Sequence, residues 1–223
     1  MQETRQNESY AIYLLLHLCR SVYLSKTPSF VPAIFKALSW TGPSEKGQVY
    51  LTFDDGPHPE HTAWAMDQLE AAGGRGTFFV VGENVDQHPT LFAEIQARGH
   101  SVGNHTQSHN SGWASSNFAY LRSYLTCQKK VASPLFRPPF GRISNAQAQA
   151  ILKRSRVVMW DVLSGDFDTS RSPASCVEAT LKAVKPGSIV VLHDSEKAAP
   201  RMRAVLPALL EHLAERGWTA TAL

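Results

Sequence analysis

Cysteine is scarce in this chain, and the three present, Cys19, Cys127 and Cys176, form no closely spaced pair. That excludes a disulfide framework and a cysteine-based zinc site, leaving three thiols that behave as small hydrophobes or lie on the surface. Long apolar runs are lacking too. A membrane-spanning helix needs about 20 apolar residues, whereas the run Tyr10 to Leu18 has nine, includes His17 and leads into Arg20. The run also makes a poor secretion signal, since Arg5 is the only basic residue ahead of it, beside Glu3 and Glu8, and no small-residue cleavage site follows. Residues 1 to about 25 therefore read as an N-terminal helix or a poorly ordered extension. Charge of one sign is missing as well: 22 Lys and Arg against 19 Asp and Glu leave +3, too little and too dispersed for a nucleic-acid surface. Lys129-Lys130 and Lys153-Arg154 read as solvated helix faces. No internal repeat or low-complexity tract interrupts the chain.

What the chain does have is 43% hydrophobic residues over 223 positions, enough for one sizeable core in a single domain. Two Pro-containing stretches, residues 26–29 and 41–44, bound a short lead-in that ends at Trp40. Residues 1–47 thus form an extension and lead-in segment, and the folded domain spans 48–223. From Gln48 onward, short β-branched and aromatic runs alternate with longer amphipathic ones, the pattern of successive βα units. Strands are expected at Val49 to Phe53, Thr77 to Val81, Ser101 to Gly103, Leu135-Phe136, Val157 to Trp160, Ser188 to Leu192 and Trp218 to Ala222. Helices are expected at about Thr62 to Ala72, Pro89 to Arg98, Phe118 to Ala132, Asn145 to Arg154, Pro173 to Val184 and Arg201 to Arg216. The class is α/β, with a closed or nearly closed parallel barrel.

In such a barrel, polar residues just after each strand converge on one face. After the first strand stand Asp54 and Asp55, followed by Gly56-Pro57. Two adjacent carboxylates disfavour each other's ionisation unless something positive sits beside them, so the pair fits either a metal site or an acidic turn. After the Ser101 strand come His105 and His109, whose four-residue spacing lets both imidazoles reach one ion. Two imidazoles and a carboxylate leave a coordination position open, the donor set of a catalytic rather than a structural zinc. Arg137, ahead of Pro138-Pro139, either pairs with the carboxylate that the metal leaves free or lies on a rigid surface turn. Asp161, Asp166 and Asp168 offer three carboxylates after the Val157 strand. His193 closes the Ser188 strand, where it is either a general acid whose pKa is raised by a carboxylate such as Asp166 or a hydrogen-bonded rim histidine. His17, His58, His61, His88, His100 and His212 carry weaker signals, with His58 the nearest to the Asp pair.

Taken in order, Thr52 to Pro57, His105 to His109, Arg137 to Gly141, Asp166-Phe167 and Leu192-His193 resemble the five motifs of the polysaccharide deacetylases, the NodB-homology domain of carbohydrate-esterase family four. The resemblance covers about residues 48 to 222. It implies a distorted (β/α)7 barrel and a metal-dependent hydrolase that removes N-acetyl groups from an amino-sugar polymer or oligomer such as peptidoglycan or chitin. It implies further that Asp55, His105 and His109 hold the metal, usually zinc, with cobalt or nickel as alternatives. Asp54 is then the general base, His193 the general acid, and Arg137 and Asp166 orient them. The backbone N–H at Phe140 would stabilise the developing oxyanion.

Three positions depart from the family pattern: Phe167 stands where Trp is usual, Leu163 where Asp is frequent, and Phe140 where Tyr is commoner. None removes a ligand, base or acid, so an active enzyme is expected. An O-acetyl esterase of xylan-like sugars or a small-amide deacylase is the alternative, and a metal-bound carbohydrate-binding domain without turnover a third. The partner is an acetylated carbohydrate, with no nucleic acid and no stable membrane span. Localisation reads as cytoplasmic from the sequence and as cell-envelope or extracellular from the resemblance. Substrate choice is expected to lie in the loops Asn110 to Asn117 and Phe167 to Ser172.

Overall fold

The computed structural model describes residues 24–223; the apolar run Tyr10 to Leu18, His17 and Cys19 lie outside them. Eight parallel strands alternate with helices. In chain order they are β1 (Gln48–Asp54), α2 (His61–Ala71), β2 (Thr77–Val80), α3 (Gly82–Gln87), α4 (Pro89–Ala97), β3 (Ser101–Asn104), α5 (Asn117–Val131), β4 (Leu135–Phe136), α6 (Asn145–Leu152), β5 (Arg156–Val157), β6 (Val162–Leu163), α7 (Pro173–Ala183), β7 (Ile189–His193), α8 (Ala199–Glu215) and β8 (Thr219–Thr221), after a short α1 (Phe30–Ile34). The sheet runs β5-β4-β3-β2-β1-β7-β6, with β8 on the first half of β1. This is the distorted (β/α)7 barrel, of class α/β.

The ring has a gap between β5 and β6, and the lead-in segment fills it. Ser39 bridges Val158, Lys26 bridges Val162, and the Leu163 N–H donates to the Ser25 carbonyl at 2.9 Å. Because buried backbone groups need partners, residues 25–39 supply what a neighbouring strand would have supplied. Among the described residues, no helix is long and apolar enough to cross a membrane.

Side-chain alternation along the strands decides what faces the interior. On β1, Val49, Leu51 and Phe53 pack outward into the main apolar core with Leu206, Leu209 and Leu213 of α8. Tyr50 faces inward with Phe79, Leu135, Val158 and Ile189. Thr52 and Asp54 share that parity. The same count sends Ile189 and His193 of β7 inward while Val190 and Leu192 join the outer core. Phe53 is fully buried, and truncating such a side chain to Ala costs about 3–5 kcal/mol.

Helix starts follow local chemistry. Ser144 and Gln147 form a reciprocal capping box on α6, Ser116 caps α5, and Ser172 caps α7 ahead of Pro173. Three elements differ from expectation. The Val157 to Trp160 strand stops at Val157, after which Val158 pairs with the lead-in. Val162–Leu163 forms a separate strand against β7, two residues being too few for any periodicity to register. Gly82–Gln87 forms a helix between the second strand and Pro89. Cys127 and Cys176 are buried free thiols, and burial pushes Cys127 up to about 12, leaving it inert as a nucleophile.

Candidate active site

Parity and register assemble the site. Asp54 and His193 are register partners at the C-terminal ends of β1 and β7, so two inward-pointing side chains are neighbours by strand pairing alone. Arg137 follows β4 with the same inward sense and crosses the barrel. Its Nη1 donates to Asp54 Oδ1 at 2.8 Å and to Thr52 Oγ1 at 2.7 Å. Nε and Nη2 donate to the carbonyls of Val158 and Met159, and the guanidinium lies 4.2 Å from the Phe79 ring centroid. Arg137 has no solvent exposure, which settles the alternative of a surface turn. A buried cation with all three of its nitrogens engaged fixes one Asp54 rotamer.

Asp55 lies one residue past the strand, where φ reaches 84°. A left-handed aspartate costs local strain, and here it swings the carboxylate away from Asp54 toward the histidines. Asp55 Oδ1 is 3.0 Å from His109 Nε2 and 3.8 Å from His105 Nε2. Four of the five non-glycine residues with positive φ among the described residues are Asp55, Thr106, His109 and Phe140, all in these loops. Burial alone would raise the Asp55 pKa, but the His109 hydrogen bond and the charges of His193, His105 and His109 hold it well below the usual carboxylate range.

The donor atoms of Asp55, His105 and His109 lie within 4.8 Å of one another. His105 is buried, and its Nδ1 donates to the Arg137 carbonyl at 2.8 Å, which leaves the Nε2 lone pair facing Asp55. Burial drops the His105 pKa to about 4, so the ring is the neutral ligand form at ordinary pH. The set fits a divalent cation.

The histidine loop is tied down from outside the barrel. Asn104 Nδ2 donates to the Tyr124 carbonyl, its Oδ1 accepts from the Thr106 N–H, and the Gln107 N–H donates to Ser123 Oγ. Gln107 also meets Asp86 and Lys130, and Lys130 pairs with Asp86. Lys130 is therefore engaged with this loop rather than only solvated.

His193 meets Asp166 twice: its Nδ1 lies 2.7 Å from Oδ1, and its N–H donates to Oδ2 at 2.8 Å. Burial would lower the His193 pKa, but the Asp166 charge and hydrogen bond, joined by Asp55 and Asp54, raise it to about 9. Arg201 Nε donates to the Asp166 carbonyl at 2.6 Å. The other two carboxylates of that stretch lie elsewhere. Asp161 accepts from Ser188 and the Ile189 N–H below the site, and Asp168 caps a surface turn at Ser170. Phe140, in the turn after Pro139, is exposed and packs edge-on against His109 at 4.6 Å. Phe167 packs likewise against His193 at 5.3 Å.

Sequence reasoning passed over Asp194. It is buried, accepts from the Gly56 N–H at 3.0 Å and from the Thr62 hydroxyl, and so staples the Asp54-Asp55-Gly56 turn to α2. A Cβ at Gly56 would fall 2.1 Å from the Asp194 carboxylate, so only glycine fits. Burial, in spite of the Thr62 hydrogen bond, pushes Asp194 up to about 7. Its position directly after His193 was the available signal.

Residues 41–159 match the polysaccharide deacetylase family model. Over 188 residues the chain is 31% identical to a peptidoglycan-N-acetylglucosamine deacetylase of Bacillus cereus, covering 81% of this chain and 88% of that protein. The chain belongs to the polysaccharide deacetylases. It is also 35% identical to a chitooligosaccharide deacetylase of Rhizobium leguminosarum bv. trifolii, over 68% of this chain and 73% of that one. The solved structure of the Bc1960 peptidoglycan N-acetylglucosamine deacetylase superposes with a TM-score of 0.76 at 27% identity, covering 88% of this chain and 95% of that one. The protein is accordingly a carbohydrate deacetylase, and its family is metal-dependent in general.

The deacetylase has a second His-carboxylate cluster, His58, His61 and Glu196. His61 Nε2 lies 2.9 Å and His58 Nε2 3.7 Å from Glu196 Oε2, with the rings stacked at 4.2 Å. Here each Nδ1 accepts: from the Glu60 and His61 N–H groups on His58, and from Arg203 Nη2 on His61. Each Nε2 therefore carries the hydrogen toward Glu196, and neither presents a lone pair to an ion.

Proposed function

We propose that this deacetylase hydrolyses the N-acetyl group of N-acetylglucosamine residues in a glycan, with Asp55, His105 and His109 holding a divalent cation. Two imidazoles and one carboxylate favour zinc among the common ions. When bound, the ion supplies Lewis acidity to a water and to the acetamide carbonyl. The chain's own residues do the rest. Asp54, held by Arg137, takes the proton of the attacking water as its oxygen bonds to the carbonyl carbon. The Phe140 N–H donates to the oxyanion. His193, held as an imidazolium by Asp166, gives its Nε2 proton to the departing amine nitrogen, the C–N bond breaks, and acetate and a free amino sugar leave.

The observation that carries this reading is the register pairing of Asp54 with His193, which sets a carboxylate base and an imidazolium acid on adjacent strand ends beside the donor cluster. An amide favours that pairing, because an amine leaves only after protonation, whereas an alkoxide from an ester needs less help. The test is acetate release from chitooligosaccharide and peptidoglycan fragments, abolished by chelation and lowered roughly 10²–10⁴-fold by Asp54→Asn. Absence of release across a broad panel of acetylated sugars would sink the reading. Loss of amide but not ester cleavage in His193→Ala separates N- from O-deacetylation.

A further inference from the structure

The metal-ligand loop continues outward into a short aromatic and cationic ridge. Phe140 packs on His109. The Arg142 guanidinium sits 5.8 Å from the Phe140 ring centroid and 5.4 Å from that of Trp113. Trp113 is held by its own Nε1, which donates to the Ile143 carbonyl at 3.2 Å, and the Gly112 N–H donates to the Arg142 carbonyl. The two loops are thereby bound to each other. Phe140 and Trp113 are nevertheless 59% and 40% exposed, so each ring keeps surface open to solvent.

Arg142 differs from the ion-paired arginines of the fold. Arg137 has Asp54, Arg203 has Glu60 and Arg98 has three carboxylates, while among the described residues no carboxylate lies within ion-pair distance of Arg142. Its guanidinium is oriented by two ring faces and has its donors unspent. An exposed aromatic face suits the apolar face of a pyranose, and a planar fork of N–H donors suits a carboxylate in two-point contact. The ridge runs outward from His109.

Resting on the deacetylase reading above, we propose that Phe140, Arg142 and Trp113 form a subsite for the adjoining sugar and select glycans in which that sugar carries a carboxylate. Phe140 and Trp113 supply stacking surface and Arg142 supplies the charge complement. A lactyl ether carboxylate and a uronic acid carboxylate share this chemistry, so both belong in the test.

The zinc-loaded enzyme is assayed for kcat/KM on three tetrasaccharides: chitotetraose, a peptide-free alternating N-acetylglucosamine–N-acetylmuramic acid oligomer, and an alternating N-acetylglucosamine–glucuronic acid oligomer. Wild type is expected to favour at least one acidic oligomer over chitotetraose by about tenfold, through KM rather than kcat. Arg142→Gln reduces that ratio to near one, Arg142→Lys restores part of it, and raising salt from 0.05 to 0.5 M erodes it in wild type but not in Arg142→Gln, since exposed charge pairs are screened. A ratio of one in wild type, or a ratio that Arg142→Gln leaves intact, overturns the subsite. Calorimetric binding of the same oligomers keeps the two readings apart. Absent turnover with binding that weakens for the acidic oligomer in Arg142→Gln condemns the reaction and upholds the subsite. Turnover with no Arg142-dependent difference does the reverse.

Discussion

Two clusters among the described residues of this deacetylase contain two imidazoles and a carboxylate with their donor atoms within 4.8 Å, and they differ in how their rings are hydrogen-bonded. Beside Asp55, the His105 ring nitrogen that faces away donates to a backbone carbonyl. Around His58, His61 and Glu196 the equivalent nitrogens accept from N–H groups. The carboxylates differ as well: Asp55 is pinned by a left-handed backbone, whereas Glu196 is a largely exposed side chain on a loop. Residue types at the right distance are therefore a weaker criterion for a metal site than the hydrogen bond made by the opposite ring nitrogen.

The comparison breaks most visibly on removing ligands. His105→Ala or Asp55→Ala is expected to lower acetate release by about 10³-fold or more, the scale of several kcal/mol of charge stabilisation, and to reduce metal content from one ion per chain to background by atomic emission. His61→Ala keeps its ion. An ion lost from His61→Ala and retained in His105→Ala would invert the assignment.

Arg137 is the piece that the second cluster lacks, since its carbonyl orients His105 while its guanidinium orients Asp54. Arg137→Met leaves Asp54 buried without its partner, and urea unfolding should show a loss of about 3–5 kcal/mol. Unchanged stability would mean that the pair is not buried in solution as it is here.

The third expectation concerns pH. Asp166 stabilises the charged form of His193, so the acid remains protonated up to about pH 9 and kcat/KM falls as pH rises through that value. Asp166→Asn removes the charge that raises the pKa, so the alkaline limb moves down toward the ordinary histidine range near about 6.5. A limb that stays in place assigns it to another group. The smallest effect is expected at Glu196→Gln: metal content unchanged and activity within about twofold, as for other exposed ion pairs.

Motif residues were legible before any coordinates because parallel strands deliver side chains to one rim, so Asp54, His105, Arg137 and His193 could each be placed after a strand. Long strands and capped helices were legible for the same reason, each carrying its signal within its own residues. The two-residue β6, the gap-filling lead-in and helix α3 were not, because such short elements exist only through the partners they meet. Choosing Asp166 among Asp161, Asp166 and Asp168 rested on family resemblance rather than on spacing, and the buried setting of Arg137 was open.

The sequence by itself determined the class of chemistry, for the residue types and their order along the chain are local properties that folding does not alter. Tertiary structure alone decided which nitrogen of His105, His58 and His61 keeps its hydrogen, which carboxylate meets His193, and that Asp194 secures the Asp54-Asp55 turn. Those outcomes depend on hydrogen-bond partners as far as 142 residues apart, and a directional contact between distant segments leaves no mark on either segment read alone.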